Sequence, residues 1–188
     1  MKNAKTIGSA ILLIALAAVW VWQVREQTLL ARRPFPSAMA ALDARDVAGL
    51  VARLKDADPG SRRIAAYGIG IVAKTTGTAA TLEEAIEPLT AALTDPDPLV
   101  RRGAANGIGL IALKSGDRAR FERAVRPLGE VTKDPDAFVA AHAARALERI
   151  GTPSARAIAG AYRRRENIPA EAPLVPEEGV VEAPPESE

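Results

Sequence analysis

The sequence contains no cysteine and a single histidine, His142, and these shortages exclude several kinds of site. A chain without cysteine forms no disulfide and no thiolate metal site, and one histidine cannot build a multi-histidine zinc site. The motifs GxSxG, GxxxxGKS/T, HExxH and GxGxxG do not occur. We therefore expect no enzyme activity, no cofactor and no metal, and we interpret His142 as a packed or surface residue.

Aromatic residues are also scarce, at 4% of the chain, whereas hydrophobic residues make up 48%. A core of this composition is aliphatic and rich in alanine, and the abundant Ala, Leu, Arg and Glu are strong helix formers. The composition therefore predicts an all-α protein. Because single-stranded nucleic acid is bound through aromatic stacking, the shortage of aromatic side chains argues against that ligand.

Charge is unevenly distributed along the chain. Residues 166–188 contain seven Glu and no Lys or Arg, so the positive excess behind the net charge of +2 lies in the rest of the chain. Residues 166–188 are also rich in Pro and show no helical period, which predicts a disordered acidic tail. A basic body is consistent with an acidic partner, and also with an ordinary solvated surface.

Residues 6–24 form an uncharged, largely apolar run. About 20 such residues cross a bilayer as a helix, and Trp20 and Trp22 suit the membrane interface. We predict a membrane anchor at 1–25 and a juxtamembrane linker at 26–36, with a cleaved signal peptide as the alternative. The lysines ahead of the run favour a cytoplasmic N-terminus, which would place the rest of the chain on the outer, periplasmic or extracellular side.

A regular repeat follows the linker. Asp- and Pro-rich turns begin at Asp56, Asp95 and Asp134, which are equally spaced, and the residues on both sides of each turn match in one register. Equivalent apolar positions include Leu50, Leu89 and Leu128, and Ile69, Ile108 and Leu147. Since a short helix pair cannot bury its apolar face alone, we expect stacked repeats to share a core.

Each repeat is predicted to consist of two helices, A and B, joined by the Asp-rich turn. Apolar spacing places the A helices at 44–55, 82–94 and 120–132 and the B helices at 59–74, 98–114 and 137–150. The resulting domain, 37–165, has a helical turn at 37–43, repeats at about 44–74, 82–114 and 120–151, and a closing helix at 154–165. Glycines recur inside the B helices, at Gly68 and Gly107 and at Gly70 and Gly109, which predicts close helix approach.

Residues 95–111 (DPDPLVRRGAANGIGLI) resemble the turn and second helix of a HEAT repeat, and the resemblance extends over about 43–152. It implies a short α-solenoid of three HEAT-like helical hairpins, here preceded by one transmembrane helix. A helices would form the outer layer and B helices the inner one. The resemblance also implies a ladder of turn Asp and helix Arg residues between repeats. In this sequence the ladder residues would be Asp56, Asp95, Arg62 and Arg101, while the third copy lacks the Arg and has Ala140.

Basic residues recur on one face of the predicted B helices, because positions i, i+4 and i+11 of a helix lie on the same side. If the B helices line the inner layer, a basic strip crosses the repeats. We predict that this strip binds an acidic protein partner through Arg63, Tyr67, Arg102, Asn106 and Arg145. An ordinary solvated face is the alternative.

Three functions remain open at this stage. The favoured one is a membrane-anchored scaffold or adaptor that binds a protein partner, with the membrane contact at residues 6–24 and no small-molecule substrate. The second is binding of anionic lipid or nucleic acid through the basic repeat surface, which would be steeply salt-dependent. The third, suggested by the resemblance, is a bilin-lyase-type repeat protein, which would carry a chromophore.

Overall fold

The described part of the chain is built almost entirely from helices. The computed structural model describes residues 35–75 and 79–175, and these residues contain no strand. Their α-helices, in chain order, are α1 (Pro36–Asp43), α2 (Val47–Arg53), α3 (Pro59–Thr75), α4 (Ala79–Glu83), α5 (Ile86–Ala92), α6 (Pro98–Lys114), α7 (Glu122–Val131), α8 (Ala137–Ile150) and α9 (Pro153–Arg165). A 3-10 helix, Arg118–Phe121, leads into α7.

The three B helices are α3, α6 and α8, and their ends agree closely with the sequence prediction. Asp97 and Asp136 cap α6 and α8, since each carboxylate accepts hydrogen bonds from two backbone N–H groups of the first turn. Asp58 accepts from the N–H of Gly60 at 2.7 Å at the start of α3. Helix α8 stops at Gly151, whose φ of 67° favours a residue without Cβ.

The A helices are shorter and less regular than predicted. Pro88 and Pro127 occupy equivalent positions in the second and third repeats, and each lacks the N–H that would bond to the carbonyl four residues earlier. In the second repeat the helix is interrupted at residues 84–85, so the predicted helix 82–94 is corrected to α4 and α5. In the third repeat the predicted helix 120–132 is corrected to the 3-10 helix followed by α7.

Equivalent positions of the repeats meet in one hydrophobic core. The fully buried side chains include the two triplets matched by the repeat period, Leu50, Leu89 and Leu128 from the A helices and Ile69, Ile108 and Leu147 from the B helices. Burying one side chain of this size contributes roughly 1.5–3 kcal/mol. The period therefore identified residues that perform the same packing role in each repeat.

Glycines allow neighbouring B helices to approach closely, as the sequence predicted. A Cβ built on Gly109 of α6 would lie 3.0 Å from the Cα of Ala146 in α8, and one on Gly70 of α3 would lie 3.7 Å from the Cα of Gly107 in α6. Gly68 instead faces leucine side chains of α1 and α2. Gly109 thus lies where the backbones of α6 and α8 leave no room for a side chain.

Two shorter helices flank the repeats. Helix α1 packs against α2 and α3, and it takes the place of the predicted helical turn at 37–43. Helix α9 packs against α7 and α8 and begins at Pro153, just before the predicted closing helix at 154–165. Both helices cover apolar surface that a further repeat would otherwise bury.

The chain beyond α9 corrects part of the predicted disordered tail. Residues 166–175, here called the C-terminal segment, fold back so that Leu174 and Val175 are buried together with Tyr162 of α9. Their partners on α8 are Ala140 and Ala144. The Pro- and Glu-rich composition of this stretch predicted disorder, but its two branched apolar residues pack on the last B helix. Residues 176–188 lie outside the described residues.

The predicted anchor and most of the linker also lie outside the described residues. Within the ranges 35–75 and 79–175, no helix combines the length and the apolarity needed to cross a membrane.

Candidate protein-binding surface

One side of the B helices stays accessible along all three repeats. It consists of positions i, i+3, i+7, i+11 and i+14 of each helix, counted from its second residue, and none of these residues is buried. We call this surface the B-face; its residues are Gly60, Arg63, Tyr67, Ile71 and Lys74 of α3, Leu99, Arg102, Asn106, Leu110 and Leu113 of α6, and Phe138, Ala141, Arg145, Arg149 and Thr152 at α8.

The exposed large hydrophobic side chains of the described residues all lie on the B-face. They are Tyr67, Ile71, Leu99, Leu113 and Phe138. Leu113 is 59% exposed and Phe138 is 63% exposed. Single exposed hydrophobic residues are ordinary, but their confinement to one side of one helix layer is typical of an interaction surface.

The same surface is basic. Its positions hold five Arg or Lys residues and no Asp or Glu. Within the described residues, Lys74, Arg102 and Arg145 form no ion pair or side-chain hydrogen bond. Their charges are therefore available to a carboxylate from another segment or another molecule.

Arg63, a predicted contact residue, has a partner within the fold. Its guanidinium binds the carboxylate of Asp97 in the next repeat, with Nε donating to Oδ2 at 2.8 Å. This hydrogen bond, aided by backbone N–H groups of α6, holds the pKa of Asp97 below its usual range. The side chain of Arg63 remains 46% exposed, so it stays on the B-face with its charge largely balanced.

The other predicted contact residues occupy the middle of the B-face. Tyr67 is exposed, whereas Asn106 and Arg145 are half-buried, and the three occupy equivalent positions of the repeats. The side-chain oxygen of Asn106 accepts a hydrogen bond from Nη1 of Arg149 at 3.3 Å. The structure thus places all five predicted residues on one surface and adds the apolar residues Ile71, Leu99 and Phe138, which lie outside the predicted i, i+4 and i+11 positions. Continuing the repeat register one turn in each direction would have found them.

A separate pair of arginines forms the ladder that the resemblance implied. Arg62 donates from Nε and Nη2 to Asp95 at 2.7 and 3.1 Å, and its Nη1 binds the carbonyls of Asp56 and Ala57 at 2.9 and 3.0 Å. Each rung therefore ties the turn of one repeat to the Asp of the next. Asp56, expected in the ladder, instead accepts from the hydroxyl of Ser61.

The second rung repeats this geometry with Asp134, a residue that the implied ladder did not include. Arg101 donates to the two carboxylate oxygens of Asp134 at 2.7 and 2.9 Å and to the carbonyls of Asp95 and Pro96 at 2.8 and 3.1 Å. The guanidinium lowers the pKa of Asp134. Arg62 and Arg101 are thus structural, whereas Arg102, the neighbour of Arg101 in the sequence, faces outward.

The third copy departs from the repeat where the stack ends. Ala140 stands in the position of Arg62 and Arg101 and is covered by the C-terminal segment. Glu148 stands in the position of Gly70 and Gly109, and its carboxylate accepts from Nε of Arg163 at 2.6 Å. No further B helix packs on α8 among the described residues, so a charged side chain fits there.

A depression lies between α7 and α9, away from the B-face. It measures about 640 Å³ and is lined by Val125, Ile158 and Tyr162 together with charged side chains of both signs, such as Arg126 and Glu130. Mixed charge gives no preference for an acidic or a basic partner. The residues that the structure describes contain no cluster of side chains able to hold a metal.

Comparison with known proteins agrees with this architecture. The family model for HEAT repeats matches residues 47–119 and, beginning at the equivalent position of the next repeat, residues 86–167. Together these matches span more than half of the chain. The chain belongs to the HEAT-repeat family. HEAT repeats act in general as scaffolds for protein–protein interaction, which agrees with an exposed apolar and basic surface.

Two solved structures of engineered proteins are similar to this HEAT-repeat protein. One is 26% identical with a TM-score of 0.57, covering 77% of this chain and 38% of the engineered one. The other is 25% identical with a TM-score of 0.53, covering 73% of this chain and 59% of the engineered one. The chain therefore spans less than two thirds of either. No curated protein matches the chain.

Proposed function

We propose that this HEAT-repeat protein is a membrane-anchored scaffold whose B-face binds an acidic, partly apolar segment of a protein partner. The observation that supports this proposal most strongly is the confinement of Tyr67, Ile71, Leu99, Leu113 and Phe138 to one surface. The same surface holds Lys74, Arg102 and Arg145, which form no ion pair within the described part of the chain. Aromatic residues and arginine are enriched at binding hot spots, and apolar contact supplies affinity that charge alone does not.

The expected partner segment combines both chemistries. Its carboxylates would pair with Arg102 and Arg145, which lie on adjacent helices, and its apolar side chains would cover Leu113 and Phe138. Because Arg63 already binds Asp97, we expect it to contribute less than the sequence alone indicated. A partner with charge but no apolar residues would leave the exposed leucine and phenylalanine in water.

The test is a quantitative pull-down from detergent-solubilised native membranes with the full chain. The variant Arg102→Glu with Arg145→Glu reverses two of the three B-face charges that have no ion-pair partner among the described residues, the third being Lys74. The matched control, Arg123→Glu with Arg126→Glu, makes the same change in charge on α7, where both arginines are exposed. We expect the partner to be retained by the wild type and the control and lost by the B-face variant. Equal retention by both variants would exclude the B-face as the site.

The second part of the proposal is the anchor at residues 6–24, with the repeats on the outer side of the membrane. Its support is the absence of charge throughout this run and the placement of Trp20 and Trp22 towards its end. Alkaline extraction of membranes should leave the chain in the pellet, and externally added protease should digest the repeats. Release of the chain by alkali would refute the anchor, and protection from the protease would refute the orientation.

A further inference from the structure

The C-terminal segment ends beside the B-face. Leu174 and Val175 pack on Ala140 and Ala144 of α8, and Ala141, a B-face residue, is half-buried by the same cluster. Val175, the last described residue, therefore lies at the α8 edge of the B-face.

Arg163 of α9 fixes this exit point. Its Nη1 donates to the carbonyls of Pro169 and Ala172 at 2.6 and 2.9 Å, and its Nε binds Glu148 of α8. The carbonyl of Arg163 also accepts from the N–H of Ile168 at 2.9 Å. One guanidinium thus ties the C-terminal segment to both α8 and α9, so the fold fixes the position of this segment.

Residues 176–188, here called the Glu-rich stretch, are complementary to the B-face in composition. They contain five Glu, no Lys or Arg, and the adjacent apolar pair Val180 and Val181. The B-face offers Lys74, Arg102 and Arg145 without ion-pair partners among the described residues, next to exposed aliphatic side chains. Acidic and branched apolar residues in one short stretch are the chemistry expected of a ligand for this surface.

The Glu-rich stretch is also long enough to cross the surface. An extended chain spans at most roughly 3.3–3.6 Å per residue, so residues 176–188 reach about 45 Å. Neighbouring helices pack about 8–10 Å apart, which places α3 about 20 Å from α8. A segment tethered this closely reaches a local concentration of about a millimolar, so even a weak contact is occupied in cis.

We infer that the Glu-rich stretch binds in cis across the B-face from α8 towards α3, and that a partner must displace it. This inference rests on the proposed function in that both use the same surface. The partner selected in this way carries carboxylates together with branched apolar side chains, and it competes with residues 176–188 for Arg102 and Arg145. Affinity for the partner is then set by the difference between two similar interactions.

Paramagnetic relaxation in the full chain tests the contact without any partner. The chain has no cysteine, so Ser187→Cys gives a single site for a nitroxide label. We expect the backbone amide signals of Arg102, Leu113 and Arg145 to lose most of their intensity, and those of Arg126 and Glu130 on α7 to keep theirs. High salt, and replacement of the five glutamates of the stretch by glutamine, should restore the B-face signals because both remove the charge attraction.

Two outcomes would overturn the inference. Unchanged B-face intensities would show that the stretch does not reach the surface, and broadening confined to Arg164 and Arg165 would show that it stays beside its own root on α9. Neither outcome depends on the pull-down, so the cis contact can fail while the binding surface stands. Conversely, a B-face variant that still retains its partner would refute the proposed function while leaving the broadening intact.

Discussion

The ladder between repeats can be tested at its second rung by Arg101→Met. Methionine keeps much of the aliphatic packing of arginine but removes four hydrogen bonds, two to Asp134 and two to backbone carbonyls. The side chains of Arg101 and Asp134 are 15% and 7% exposed, so the Asp134 carboxylate that remains is poorly solvated. Arg102→Met is the matched control, since the adjacent side chain forms no such pair.

The expected magnitude follows from these contacts. Removing one member of a fully buried ion pair costs about 3–5 kcal/mol. The residual exposure of the pair, and the backbone N–H of Asp136 that still binds Asp134 at 2.9 Å, reduce the cost to roughly 2–3 kcal/mol. Arg102→Met should change the free energy of unfolding by no more than about 0.5 kcal/mol.

Urea unfolding followed by far-ultraviolet circular dichroism measures both variants. With an m-value of about 2 kcal/mol per molar urea, the midpoint of Arg101→Met should fall by about 1–1.5 M. Combining Arg101→Met with Asp134→Asn should cost less than the sum of the single changes, by about 1–3 kcal/mol. Equal midpoints for Arg101→Met and Arg102→Met, or strictly additive costs, would refute the rung as a stabilising contact.

Other contacts lead to three further predictions. The lowered pKa of Asp134 stabilises the fold above its unfolded-state pKa of about 3.9, so the free energy of unfolding should fall below this pH, less steeply in Asp134→Asn. Gly109→Ala should destabilise the fold by about 1–3 kcal/mol, because the new Cβ meets the backbone of α8. Gly160→Ala in α9 should stabilise the fold by about 0.5–1 kcal/mol, because its Cβ would meet only the end of a flexible side chain. Thermal unfolding of the two variants distinguishes these outcomes. Ala140→Arg should expel the C-terminal segment, and hydrogen exchange should then show faster exchange in that segment with α6 unchanged.

The sequence predicted the B helices well and the A helices less well, for a physical reason. Each B helix starts at an Asp that caps it, and this local signal recurs with the period. The A helices carry Pro88 and Pro127, which remove backbone hydrogen bonds inside segments whose apolar spacing still indicates a continuous helix. Periodicity reports which residues face the core, whereas the missing N–H of Pro88 accounts for the interruption at residues 84–85; Pro127 lies inside α7, which stays continuous around it.

The candidate surface was predicted in position but not in its charge balance. The register showed that Arg63 and Arg102 are equivalent residues, and both do lie on the B-face. It could not show that Arg63 reaches Asp97 in the next repeat while Arg102 has no acidic partner among the described residues. Such contacts depend on the rotation between successive repeats, which a one-dimensional period does not contain.

The departures from the repeat are as informative as its matches. Ala140 and Glu148 break the pattern in the third copy, and the sequence alone gives no reason for either departure. In the structure each has a specific environment, since Ala140 belongs to the buried cluster that includes Leu174 and Val175, and Glu148 binds Arg163. A ladder arginine at position 140 would have no following turn to bind among the described residues, and a glycine at position 148 would face no further B helix there. The third copy therefore carries the residues that accommodate the C-terminal segment in place of a further repeat.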